Sequence, residues 1–196
     1  MDDQAWLVVG LGNPGPRYAE TRHNIGAWVA ERLAERLGSR LRKVRFLPLE
    51  VGEASHAGKR LYLARPQTLM NESGPPVASF VRRRRLDPGS IVACHDEIDL
   101  GFGALKVKRG GSTAGHNGLN SLVSALHSAD FYRVRLGVGR PRGRRDPAGH
   151  VLDTFARSER EEAEILAEEG ADAVLTLVSE GLSAAQDRHN RAASSG

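Results

Sequence analysis

The sequence predicts an α/β fold, a single domain whose twisted mixed β-sheet carries α-helices on both faces. Three observations predict it. Short apolar runs alternate with longer stretches whose apolar residues recur at helical spacing. A hairpin-like pair of strands sits within that alternation. The chain has 196 residues, 40% hydrophobic and 27% charged, which suits one compact core. No internal repeat and no linker marks a second domain, so one unit is expected over residues 1–190, with 191–196 as a flexible tail.

Each element has its own signal. The apolar run Trp6-Leu7-Val8-Val9 predicts a first strand over 6–11, and Ile25, Trp28, Val29, Leu33 and Leu37 share one stripe of a helix over about 22–38. Residues 45–53 and 60–64 form the hairpin-like pair, linked through His56-Ala57-Gly58. A helix near 69–85 leads to a buried strand at 90–95. After a glycine-rich connection come a strand at 104–108, a loop at 109–115, a helix at about 116–127 and a strand at 131–138. The remainder is helical, opened by Ser158-x-x-Glu161 as a capping box and interrupted at Gly170 and Gly181.

The stretch GLGNPG, Gly10 to Gly15, matches the dinucleotide-binding pattern in form and fails it in context. A phosphate cradle needs a helix that starts within the glycines, with the pyrophosphate at its N-terminus. Pro14 and Pro16 instead push Asn13 and Gly15 extended and delay the helix to near Thr21. What results is a rigid loop at the end of the first strand, presenting Asn13, Tyr18, His23 and Asn24.

Charge narrows the class further. The chain carries 28 basic and 24 acidic residues for a net +4, with acids concentrated near the C-terminus and cations in the middle. MDDQAWLVV has acids where a secretory signal needs positive charge, and no window has the apolar length of a membrane helix, so a cytoplasmic protein is expected. Cys94, alone in an apolar run, reads as a buried inert thiol. Arg82 to Arg85 read as a solvated helix end before Asp87-Pro88-Gly89. The strand cations differ. Alternation puts Lys106 and Lys108 on one face of their strand and pairs Arg133 with Arg135 on one face of theirs, the arrangement a phosphate clamp needs, against the plainer reading of ordinary surface charge.

His23 is suited to act as a general base near neutral pH, and Asp96, ending the run Cys94-His95-Asp96-Glu97, is suited to orient an imidazole. Asn71 and Asn117 are candidate donors to a carbonyl or a developing oxyanion, against the plainer reading of caps or turn residues. His95, Asp96, Glu97 and Asp99 crowd together, but consecutive strand residues point to opposite faces, which argues against a metal site. Gly110-Gly-Ser-Thr-Ala114 lacks the last glycine of a serine esterase elbow and the strand leading into it.

Taken together, GLGNPG with Tyr18 and Thr21-Arg-His-Asn24, then MNESG, HDEIDL, GGSTAGHNGL and RVRLGVGRP resemble the bacterial peptidyl-tRNA hydrolases from about Trp6 to His189. The resemblance implies hydrolysis of the ester between a peptide and the tRNA 3′ end. It implies a monomeric mixed sheet between helices, with no metal and no cofactor. It casts His23 as the base that activates water and Asp96 as the group holding its tautomer. Asn13 would help tell a blocked α-amino group from a free one, and Asn13, Asn71 and Asn117 would grip the peptide end. Tyr18, Leu69, Met70 and His116 would line the substrate site, while Lys108 and Arg135, helped by Lys106 and Arg133, would hold tRNA phosphate. Two positions depart from the family pattern: Leu69 stands where an aromatic residue is usual, and Asn120 where a basic one is usual. The alternative expectation is an RNA-binding module of the same fold without catalysis.

Overall fold

A computed structural model describes residues 4–193. Its strands are β1 (Trp6–Gly10), β2 (Arg42–Lys43), β3 (Leu49–His56), β4 (Lys59–Pro66), β5 (Ile91–Glu97), β6 (Leu105–Arg109) and β7 (Tyr132–Gly137). Its helices are α1 (Ile25–Arg36), α2 (Gly74–Arg84), α3 (Asn117–Leu126), α4 (Pro147–Val151), α5 (Arg160–Glu180) and α6 (Leu182–His189). The sheet order is β2-β3-β4-β1-β5-β7-β6. β1 runs parallel to β4 and β5, and β5 parallel to β7, while β2–β3, β3–β4 and β6–β7 are antiparallel. The mixed α/β fold read from the sequence is the one found.

Period-2 alternation sorts the core into two layers. Trp6, Val8, Cys94, Val107, Val134 and Leu136 face α1, α5 and α6. Leu7, Val9, Ala93, Tyr62 and Phe131 face α2 and α3. Both faces are therefore covered, except over β6 and β7 on the α2–α3 side, where the outward residues are cations. Cys94 is buried, as expected, and burial pushes its thiol well above the usual range.

The glycines of the first loop serve packing. A Cβ on Gly10 would stand 2.5 Å from the Gly26 carbonyl, and one on Gly26 only 2.1 Å from the Cys94 carbonyl. These absences let α1 press against the ends of β1 and β5. A single 3-10 turn at Arg22–Asn24 precedes α1, and a second at Met70–Glu72 precedes α2.

Several details differ from the sequence reading. The hairpin strands shift toward a tight turn at Ala57-Gly58, with His56 opposite Lys59; the first starts only at Leu49, and the second extends to Pro66. α5 runs unbroken through Gly170, whose missing side chain makes room for Val29 and Leu136; a Cβ there would stand 2.9 and 3.0 Å from them. Gly181 does end the helix, at φ 90. The capping box does not form: α5 starts at Arg160, and the Glu159 carboxylate is spent on the Ala156 N–H and on Arg22. Arg191 is docked, exchanging both backbone hydrogen bonds with Leu105 (2.9 and 3.3 Å); the last three residues of the expected tail lie outside the described ones.

Candidate active site

β1 lies between two parallel neighbours, β4 and β5: the first crossover leaves β1 through α1 toward the β2–β4 side of the sheet, and the second passes from β4 through α2 to β5 on the other side of β1. In such sheets the crevice opens at the C-terminal ends of the strands. A cavity of about 630 Å³ lies there, lined by residues of the β1–α1 loop, the β4–α2 turn, the end of β5, the loop before α3, and α4. Asp146 and Pro147, at the start of α4, and Val151 and Leu152, at its end, form one of the cavity's walls. Arg22 fixes that wall. Its buried guanidinium donates to the carbonyls of Asp153 (3.3 Å) and Thr154 (2.7 Å) and pairs with Glu159 at 2.7 Å.

At the floor, Asp96 is 2% exposed and joins two imidazoles. His23 Nδ1 lies 2.9 Å from each Asp96 carboxylate oxygen, and His116 Nε2 lies 2.8 Å from Oδ1. The hydrogen bonds fix the tautomer of His116. Its Nδ1 accepts from the Gly118 and Leu119 N–H groups at 3.1 and 3.3 Å, capping α3, so the ring proton sits on Nε2 and is donated to Asp96. A carboxylate that accepts from His23 Nδ1–H likewise leaves His23 Nε2 as a lone pair. Burial alone would raise the Asp96 carboxyl, but the two imidazoles outweigh it and hold it well below the usual carboxylate range. Asp96 is thus an anion that orients two rings.

Donor atoms of His23, Asp96 and His116 lie within 4.8 Å of one another, the ligand set a metal ion would need. Both nitrogens of His116 and Nδ1 of His23 are already hydrogen-bonded, to Asp96 and to the start of α3, so an ion drawing on those atoms would have to displace these bonds. His95 also falls beside this group, its ring centroid 5.0 Å from that of His116. Burial and the neighbouring His116 push it down to about 3, so it stays neutral near pH 7 and supplies no base.

Asn13 is held on three sides. Its backbone N–H and carbonyl both bond the Asn24 side chain at 2.9 Å, and its Oδ1 accepts from the Met70 N–H at 2.7 Å. The side-chain NH₂ remains as its working end. Tyr18, Leu69, Met70, Asn71 and Asn117 all line the same cavity, with Leu69 51% exposed. Asn24 was read on this loop, but its bracing of Asn13, the part played by Arg22 and the bond from His116 to Asp96 escaped the sequence reading, because each acts across more than ten positions of chain.

The basic face is built by the β6–β7 ladder, which sets Lys106 opposite Arg135 and Lys108 opposite Arg133. Opposed residues share a face, so all four point to the same side. Arg133 nevertheless departs from the expected clamp. It is fully buried, and its guanidinium donates to the carbonyls of Ser112 (2.6 Å) and Gly111 (2.9 Å), shaping the loop before α3. The alternation was right about direction but could not show that the loop folds over this arginine. Arg135 pairs with Glu97 at 3.1 Å while staying partly exposed, and Lys106 is exposed. Burial, with Arg135 and Arg133 nearby, lowers the Lys108 ammonium below its usual range.

No described helix is long and apolar enough to cross a membrane. The family described as peptidyl-tRNA hydrolase matches residues 7–195. A peptidyl-tRNA hydrolase of Frankia alni is 50% identical over 189 residues, covering 96% of this chain and 95% of its own, and one of Mycobacteroides abscessus is 46% identical over 188 residues, covering 96% of both. Among solved structures, peptidyl-tRNA hydrolase from Acinetobacter baumannii superposes with a TM-score of 0.89 at 34% identity over 97% of this chain and 96% of that one. Agreement in sequence and in three dimensions over nearly the whole length leaves one assignment: the chain belongs to the peptidyl-tRNA hydrolase family.

Proposed function

We propose that this chain cleaves the peptidyl-tRNA ester with His23 as general base and no metal ion. The activity itself follows from the family, and nothing in the comparisons supports a non-catalytic RNA-binding role. The observation that carries the mechanism is the His23–Asp96 pair on the floor of the cavity, at 2.9 Å to both carboxylate oxygens.

His23 Nε2 takes a proton from a water, whose oxygen attacks the ester carbonyl carbon. Asp96 stabilises the imidazolium that forms. The carbonyl oxygen becomes an oxyanion, and the side-chain amides of Asn71 and Asn117 donate to it. Collapse breaks the bond to the ribose 3′ oxygen, which recovers the proton from His23. The products are a peptide acid, which ionises by releasing a proton to solvent, and a tRNA with a free 3′ hydroxyl.

Asn13 supplies selectivity. With its Oδ1 taken by the Met70 N–H, it presents only donors. A blocked α-amino group brings an acyl oxygen that accepts from them, whereas a free α-ammonium brings donors against donors. Tyr18, Leu69, Met70 and His116 shape the rest of the wall, and Lys106, Lys108 and Arg135 meet tRNA phosphate, with Arg133 placing the adjoining loop.

The test is single-turnover release of N-acetyl-aminoacyl-tRNA with a chelator present, run beside the unblocked substrate. The wild type should cleave only the blocked one. His23→Ala should lose roughly 10²- to 10⁴-fold in turnover and keep its tRNA affinity. Near-normal cleavage by that variant would remove His23 from the reaction, and loss of activity on chelation would restore a metal to it.

A further inference from the structure

The edge of the sheet farthest from Lys106, Lys108 and Arg135 carries a second concentration of cations that the reaction leaves unused. β2 and β3 are joined by a tip over residues 44–48, and the end of α2 lies against it. Arg42 stands opposite Val51 in the β2–β3 ladder. Val51 packs into the core layer under α2, so Arg42 lies on that same face. Arg83 Nη1 donates to the Arg45 carbonyl at 3.1 Å and fastens the tip to the helix end. Arg42, Arg45, Arg82, Arg83 and Arg85 are all exposed. Among the described residues none of these five pairs with a carboxylate, since Glu53 is engaged by Arg84.

Phe46 gives the patch a second chemistry. It is 80% exposed at the tip and sits at φ 63, a left-handed conformation that non-glycine residues rarely adopt. Its neighbours Val44 and Leu47 pack toward the core, while the Phe46 ring stays outside with the Arg45 guanidinium 4.6 Å from its centroid. A merely solvated charge patch has no use for an exposed aromatic held in this way. Guanidinium forks match phosphate bidentately, and a bare ring stacks on an unpaired base. A duplex covers its base faces, and an acidic protein partner would not call for the ring.

We infer that the β2–β3 tip and the C-terminal end of α2 form a docking surface for single-stranded or looped RNA, separate from the tRNA phosphate face. Five strand spacings lie between β3 and β6, about 24 Å at about 4.8 Å each. Both surfaces lie on the α2–α3 side of the sheet. This surface does not depend on the role of His23.

The experiment titrates the full chain with a labelled uridine 12-mer by fluorescence anisotropy across salt concentrations. The wild type should bind. The triple variant Arg42→Ser, Arg45→Ser, Arg83→Ser should lose about two units of the log–log salt slope, at about 0.7 per phosphate contact. Phe46→Ser should weaken binding about tenfold at constant slope, and Phe46→Tyr should restore it. Cleavage of peptidyl-tRNA should be unchanged in all of them. A 4-thiouridine probe should crosslink to the peptide containing Phe46. Wild-type affinity and slope in the triple variant would overturn the inference, as would crosslinks confined to β6 and β7. Binding to phosphatidylglycerol vesicles without binding to the oligomer would overturn it too, and would identify a membrane-facing surface.

Discussion

Asp96 is the residue on which the site turns, because one buried carboxylate sets the tautomers of two imidazoles. Asp96→Asn keeps the shape and removes the charge. Its NH₂ would face a ring nitrogen that now donates, favouring a His23 tautomer whose Nε2 carries the proton. Turnover of blocked aminoacyl-tRNA should fall roughly 10²- to 10⁴-fold with little change in tRNA affinity, as single-turnover kinetics beside binding would read. His95 yields a stability prediction. Its folded value near 3 lies below its ordinary 6.5, so between those values the unfolded chain binds a proton that the native one refuses. Stability therefore falls with falling pH across that window, by about 1.4 kcal/mol per pH unit for one proton. Urea unfolding at pH 7 and at pH 5 should show the loss, and His95→Gln should reduce it; an unchanged slope would mean the ring reaches solvent. His23 and Asp96 were legible because their residue types and local context declare proton chemistry. The role of His116 was not, since its two local capping bonds at the start of α3 carry no hint of the third, to Asp96 at the end of β5, which folding alone brings near.

Among the elements, α1 matters most, because the turn just before it carries His23 and Asn24. Its close approach to β5 rests on Gly26, where a Cβ would stand 2.1 Å from the Cys94 carbonyl. Backbone cannot yield as a side-chain tip can, so Gly26→Ala should cost about 1–3 kcal/mol and displace His23 enough to reduce turnover. Gly149→Ala is the control: its nearest neighbour would be Asp146 Oδ2 at 4.0 Å, and both stability and activity should stay near wild type. Denaturant melts and single-turnover rates on the two variants separate these outcomes. The strands and long helices could be read because periodicity reports which face is buried. Gly170 could not, since a glycine that breaks a helix and one that admits Val29 and Leu136 look alike in sequence. α4 was missed for a similar reason: five residues give no stripe, and what holds the wall beside it is Arg22, more than a hundred positions away.

At the scale of the whole molecule, the sheet spreads three tasks along its width. The proposed chemistry lies at the ends of β1 and β5, the proposed phosphate contact at the β6–β7 edge, and an arginine-rich surface at the β2–β3 edge. Separation has an energetic consequence. In the proposed reading the ester reacts over a buried floor at Asp96, while the tRNA phosphates meet a partly exposed ladder, where salt screens the interaction. Binding and catalysis should therefore respond differently to ionic strength. If the proposed edge meets duplex phosphate, replacing Lys108 and Arg135 together by alanine removes two contacts, so the slope of log affinity against log salt should fall by about 1.8, at about 0.9 per contact. The single-turnover rate at saturating substrate should change little, because neither side chain is bonded to His23 or Asp96. Arg133 belongs outside that pair despite sharing their face: its guanidinium is committed to the Gly111 and Ser112 carbonyls, so Arg133→Ala should disturb the loop beside His116 and lower turnover rather than the salt slope. Titrations of tRNA from about 50 to 200 mM salt on the double variant and on Arg133→Ala would read this division directly. An unchanged slope in the double variant would place the tRNA on another surface, and a slope lowered by Arg133→Ala alone would show that its burial is relieved when RNA binds.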